Sequence, residues 1–172
     1  MRTLTIIAAA LLIASPLAAT CRSTAENLLA THNCGFDRDV SEWTALGDAA
    51  VSRDVSEGGV LKAVSDASGS LTIDGPCVAA NADSQYRLSA RLRLSSGTTY
   101  FCSVNVYQYS DAACGQNADP LGSAAGPPDP VWTVVDGTAT TSSTTKSLKV
   151  HPDCSGQPGF VVLFDDFVLV PG

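Results

Sequence analysis

The chain is short of basic side chains: ten Lys and Arg stand against 17 Asp and Glu in 172 residues. A nucleic-acid binder shows a basic surplus, as does a protein that anchors on anionic lipid, so the balance argues against both partners. Histidine occurs twice, at His32 and His151, and neither has a partner at metal-ligand spacing. No Cys-x-x-Cys pair occurs either, which argues against zinc. There is no Gly-x-Ser-x-Gly elbow and no visible nucleophile–base–orienter set, so the sequence does not read as an enzyme. Aromatic residues make up only 6% of the chain. The few large ones, Trp43, Tyr86 and Trp132, are therefore expected in the core.

Long apolar runs are also scarce. The clearest is near the N-terminus, where Arg2 precedes an apolar stretch from Leu4 to Ala14 and then Ser15-Pro16-Leu17-Ala18-Ala19-Thr20. A basic start, an apolar centre and small residues at the end are the build of a secretory signal peptide. Cleavage is expected after Ala19 or one residue later. The run is too short, and broken too soon by Pro16, for a membrane span. The alternative is a lipoprotein with Cys21 as the lipidated residue. Residues 20–172 then form one domain, secreted or periplasmic. It carries nine basic residues against 17 acidic, and is expected to be monomeric.

All six cysteines lie beyond the leader: Cys21, Cys34, Cys77, Cys102, Cys114 and Cys154. An even set in an exported chain reads as disulfides, and six cysteines allow fifteen pairings. One pair has a local argument. Cys102 lies in a strand and Cys114 follows the turn-like Ser110-Asp111-Ala112-Ala113, so a bridge across that hairpin is expected.

Helical periodicity is missing throughout, and what is present reads as short strands. Candidates are 26–36 around Asn27-Leu28-Leu29, then 49–55, 60–64, 70–73, 86–94, 100–109, 131–135, 146–150 and 160–170. Gly115 to Pro130, with four prolines, reads as a long loop. Ser- and Thr-rich 138–145 reads as a solvent-facing edge. Many short strands separated by turns predict an all-β fold, a two-sheet antiparallel sandwich.

The last run, Val161 to Val170, carries Asp165 and Asp166 near its middle. Regular alternation puts Asp165 with Leu163, Phe167 and Leu169, and Asp166 with Phe164 and Val168. Asp165 then faces apolar surroundings and needs a partner or a metal, while Asp166 is expected exposed.

Several motifs in order resemble carbohydrate-binding modules with a galactose-binding-like jelly roll. They are Asn27-Leu28-Leu29, then Cys34-Gly35-Phe36-Asp37 and Trp43, Tyr86-Arg87-Leu88-Ser89, Trp132 followed by Thr138-Ala139-Thr140, and Phe164-Asp165-Asp166-Phe167. Cys34 stands where a Gly or Pro is usual, and Asp37 where a Glu is common. The resemblance implies a jelly roll that binds an oligosaccharide or polysaccharide without catalysis. It also implies one structural calcium, with Asp37 and Asp165 among its ligands. The alternative is an extracellular jelly roll used for structure or protein contact.

Two alternating strands supply the candidate binding face. Arg87, Ser89, Arg91 and Arg93 share one side of their strand; Ser103, Asn105, Tyr107 and Tyr109 share one side of theirs. If the strands are neighbours, Arg87, Arg91, Asn105, Tyr107 and Tyr109 combine ring faces with planar polar groups, the mixture that sugars require.

Overall fold

The computed structural model describes Cys21 and residues 26–115 and 118–172. Residues 1–19, expected to be a signal peptide, lie outside the described residues. Eleven strands follow: β1 (Thr44–Ala45), β2 (Ala50–Asp54), β3 (Val60–Val64), β4 (Ser70–Asp74), β5 (Cys77–Ala79), β6 (Gln85–Ser96), β7 (Thr99–Tyr109), β8 (Asp119–Gly126), β9 (Thr133–Thr140), β10 (Ser147–Gly156) and β11 (Val161–Pro171). One sheet has the order β1-β4-β10-β7-β8, with β5 also paired to β10; the other has the order β2-β3-β11-β6-β9. All pairings are antiparallel.

The two sheets close on the inward halves of the alternating strands. Tyr86, Leu88, Ala90 and Leu92 of β6 face Val104 and Val106 of β7, with Leu148, Val150, Val162 and Phe164, all buried in one cluster. Phe36, Trp43 and Phe167 pack ring against ring at one end, with centroids 4.4–5.9 Å apart. Trp43 and Tyr86 are core residues, as expected.

Three expectations about strands change. Residues around Asn27 form turns, not a strand. Asn27 still fixes this segment: its amide donates to the carbonyls of Cys21 and Phe167, and its oxygen accepts from the Leu29 and Leu169 amides. The Gly115–Pro130 stretch contains β8. Pro120 is tolerated there because β8 is an edge strand, where a missing N–H costs no ladder bond. Most important, β6 and β7 are consecutive but belong to opposite sheets. Gly97, at φ 83°, makes the turn between them. A Cβ there would stand 2.8 Å from Phe160, so the chain crosses over the edge of the core where only glycine fits.

The disulfides are Cys21–Cys34, Cys77–Cys114 and Cys102–Cys154. The expected Cys102–Cys114 bridge does not form. β7 runs on to Tyr109 before it turns, which separates Cys102 from the turn by about 24 Å of strand. Cys102 instead meets Cys154, its register partner on β10. Cys21, the lipidation candidate, is bonded to Cys34.

Candidate functional site

The separation of β6 and β7 divides the expected binding residues between the two outer surfaces. Asn105, Tyr107 and Tyr109 lie on the outer face of the six-stranded sheet. Arg87 and Arg91 lie on the outer face of the five-stranded sheet.

On the six-stranded sheet, outward positions of β7 and β10 alternate in register: Phe101 opposite Ser155, Ser103 opposite Asp153, Asn105 opposite His151 and Tyr107 opposite Lys149. Phe101 is 48% exposed, a large apolar ring open to solvent. Sequence reading missed it because the alternation was counted only from Cys102. The same period of two places Phe101 with Ser103 and Asn105. The ring of Tyr107 meets that of His151 edge to face at 4.7 Å.

The polar groups of this face are held in fixed positions. Asn105 Nδ2 donates to Asp153 Oδ2 at 2.5 Å and to Ser103 at 3.2 Å. Lys149 Nζ lies 2.7 Å from Asp74 Oδ2, and His151 Nε2 lies 3.2 Å from Asp74 Oδ1. Burial lowers the pKa of His151, against the opposing pull of Asp74 and Asp153. Tyr109 is nearly buried, which raises its pKa, and its hydroxyl stands 3.5 Å from His151 Nε2. A hollow of about 220 Å³, lined in part by Gln108, Tyr109, Asp119 and Ser142, ends the row. From Phe101 to Tyr109 the row runs eight residues of strand, about 27 Å.

The five-stranded face is built differently. Trp132, expected in the core, lies just before β9 on the outside. The guanidinium groups of Arg91 and Arg93 lie 4.8 and 5.3 Å from its ring centroid. A cation over an indole face is an attractive arrangement, and it gives an outward tryptophan partners without burial in the core. Arg93 also pairs with Glu57 at 2.8 Å.

Asp165 and Asp166 both come to this face. Between Asp165 and Val168 the pairing of β11 with β6 shifts register, and Asp166 takes φ 50°. This bulge breaks the alternation. Phe167 and Leu169 turn inward, while both carboxylates reach Arg91, Asp165 at 3.5 Å and Asp166 at 3.2 Å. Asp166 is 12% exposed, not a solvent residue. It also accepts from the Cys21 amide at 3.1 Å. Burial, then the neighbouring Asp166, pushes the pKa of Asp165 up to about 6.

The donors implied for calcium do not fit it. Calcium takes six to eight oxygens. No group of three or more His, Cys, Asp or Glu side chains able to hold a metal exists among the described residues. Asp37 lies near enough to act on Asp165 electrostatically. Yet Asp165 and Asp166 already serve Arg91 and backbone amides. The carbonyls of Phe36 and Asp37 accept from Arg53 at 2.5 and 2.6 Å. Two guanidinium groups supply the positive charge here.

No family model and no curated protein sequence matches the chain. Solved structures do. A family 61 carbohydrate-binding module in complex with β-1,4-galactotriose superposes with TM-score 0.61 at 19% identity, over 86% of this chain and all of that one. The CBM22-1 xylan-binding domain of Paenibacillus barcinonensis Xyn10C gives 0.59 at 15%, over 80% and 90%. The CBM22-1–GH10 modules of a Clostridium thermocellum xylanase, complexed with xylohexaose, give 0.61 at 14%, over 79% of this chain and 27% of that one. The fold is a two-sheet antiparallel β-sandwich of the kind these carbohydrate-binding modules have. At these identities the likeness to such modules is one of fold, and the ligand has to be argued from the site.

Proposed function

We propose that this domain binds an oligosaccharide or polysaccharide along the outer face of the six-stranded sheet, as a secreted monomer and without catalysis. The observation that carries the reading is the row Phe101, Asn105 and Tyr107 beside Asp153, His151 and Lys149. Ring surfaces suit the C–H patches of a sugar, and amide, carboxylate and ammonium groups suit its hydroxyls. The polar groups are already tied to one another, so little ordering is left to oppose binding. The length of the row suits several linked sugar units. Structural neighbours hold β-1,4-galactotriose and xylohexaose, which supports a glycan as the ligand class. Three disulfides and the leader-like N-terminus support an oxidising, extracellular setting.

The face carries Asp74 and Asp153 against Lys149, so a neutral glycan is favoured over a polyuronide. A glycan array on the domain should show binding to a neutral chain. Phe101→Ala and Tyr107→Ala should each weaken that binding at least about tenfold, a loss near 1.4 kcal/mol, with Tm within a few degrees of wild type. Undiminished binding by the double variant would remove this face as the site. No binding to any glycan would turn the reading to protein contact.

A further inference from the structure

The opposite face carries a groove that the reading above leaves unused. It has a volume of about 560 Å³ and runs over β9, β6 and β11. Val134, Val168 and Val170 supply its apolar lining, and Arg87, Asp136 and Thr138 are among its polar lining. Outward Arg87 is in register with Thr138, and Ser89 with Asp136, so the Arg87 and Asp136 side chains rise on one face from adjacent strands, two residues apart in register. Both are exposed, and neither makes an ion pair with the other within 4.0 Å. The groove is the size of a small-ligand site and has the usual makeup of one, an apolar surface with a few polar groups.

The charges decide what it suits. Four charged residues line it: Arg87, Arg91, Asp136 and Asp166. Arg91 is already neutralised by Asp165 and Asp166. An anion would find one free guanidinium and meet Asp136 beside it. A neutral polyol finds a fork of donors, a carboxylate acceptor and an apolar strip between them. We propose that this groove is a second binding site for neutral glycan, which makes the domain bivalent, with one site on each outer face. The inference rests on the first face binding glycan, since only then does the domain bridge two chains. Two weak sites on opposite surfaces of one rigid sandwich cannot engage one short oligosaccharide together. They can hold separate chains, and their joint effect on a polymer exceeds either affinity.

The test is an amide-resolved NMR titration of the domain with xylohexaose and with β-1,4-galactotriose. One of these should shift the amides of Val134, Gly137, Thr138, Val168 and Val170 as a set, separately from those of Phe101, Asn105 and Tyr107. The Arg87→Ala, Asp136→Ala double variant should weaken the groove set at least tenfold and leave the other set unchanged. Tyr107→Ala should do the reverse. Light scattering with a soluble polymer of the bound sugar should rise for wild type and for neither variant. If the Tyr107 set titrates to saturation while the groove set stays still with both probes, the second site is refuted and the first stands. If only the groove set moves, the first face fails, bivalency falls with it, and the groove remains as a single site. If neither moves, the second site is refuted for these sugars along with the first.

Discussion

Asp165 shows how one residue's setting acquires a measurable consequence. Its carboxyl is largely buried beside Asp166, and the two carboxylates share Arg91. The resulting pKa of about 6 lies above that of the unfolded chain. The folded state therefore binds the proton more tightly, and the contribution of Asp165 to stability falls as pH rises from about 4 to about 6. Asp165→Asn keeps the acceptor for the Asp166 amide and removes the charge. It should stabilise the domain at pH 7.5 by on the order of 2 kcal/mol and have little effect at pH 3.5. Urea denaturation at both pH values measures the difference. A variant destabilised at pH 7.5 would mean that the ion pair with Arg91 outweighs burial. Trp132 makes a related point. A large apolar ring need not be core when two arginines cover it.

The N-terminal segment and β11 act as one unit at the scale of elements. Asn27 is 7% exposed and bonds to four backbone groups, two of them on β11. Leu28 adds an amide bond to the Leu169 carbonyl. Asn27→Ala would leave buried amides and carbonyls without partners, at about 1–3 kcal/mol for each group that water cannot reach. A loss of about 3 kcal/mol or more is expected by denaturant melting; Asn27→Asp should recover part of it, because the acceptor oxygen remains. A loss under 1 kcal/mol would show that the segment is held by its disulfide alone. On the far side, Gly137 lets β9 approach β8. A Cβ there would stand 2.6 Å from the Ser123 carbonyl oxygen, so the closing edges of the two sheets need that gap.

Taken whole, the molecule is a sandwich joined at three places by disulfides, with Arg91 set between the carboxylates of Asp165 and Asp166. Thiol titration of the unfolded, unreduced protein should find no free cysteine. Removing the Cys77–Cys114 bridge by double substitution to alanine should cost about 2–4 kcal/mol. That bridge ties β5 to the turn after β7, across a sequence separation of 37 residues. A chelator should leave Tm unchanged, and added calcium should not raise it. A chelator-induced fall would show that oxygens other than those described here complete a metal site. Among the described residues no helix is long and apolar enough to cross a membrane.

Strand periodicity, turn residues and an even cysteine count were enough to establish an all-β, disulfide-stapled sandwich, and the motifs from Asn27 to Phe167 pointed to a jelly roll. These signals are local: side chains alternate within a strand whichever strand lies beside it. That is why the inward row of β6 and the outward row of β7 were legible residue by residue. Which sheet each strand joins is not local. The turn at Gly97 carries the chain across the core, so the arginine and tyrosine rows ended on opposite faces although their strands are consecutive. The bulge at Asp166 likewise depends on how β11 meets β6, and it reversed the facing of one carboxylate that simple alternation had fixed. Cys102 found Cys154 through the register of β7 with β10, a pairing 52 residues apart. The sequence by itself determined what each strand offers on each side; only the tertiary structure decided which sides meet, because strand pairing and sheet packing join residues that no short-range period connects.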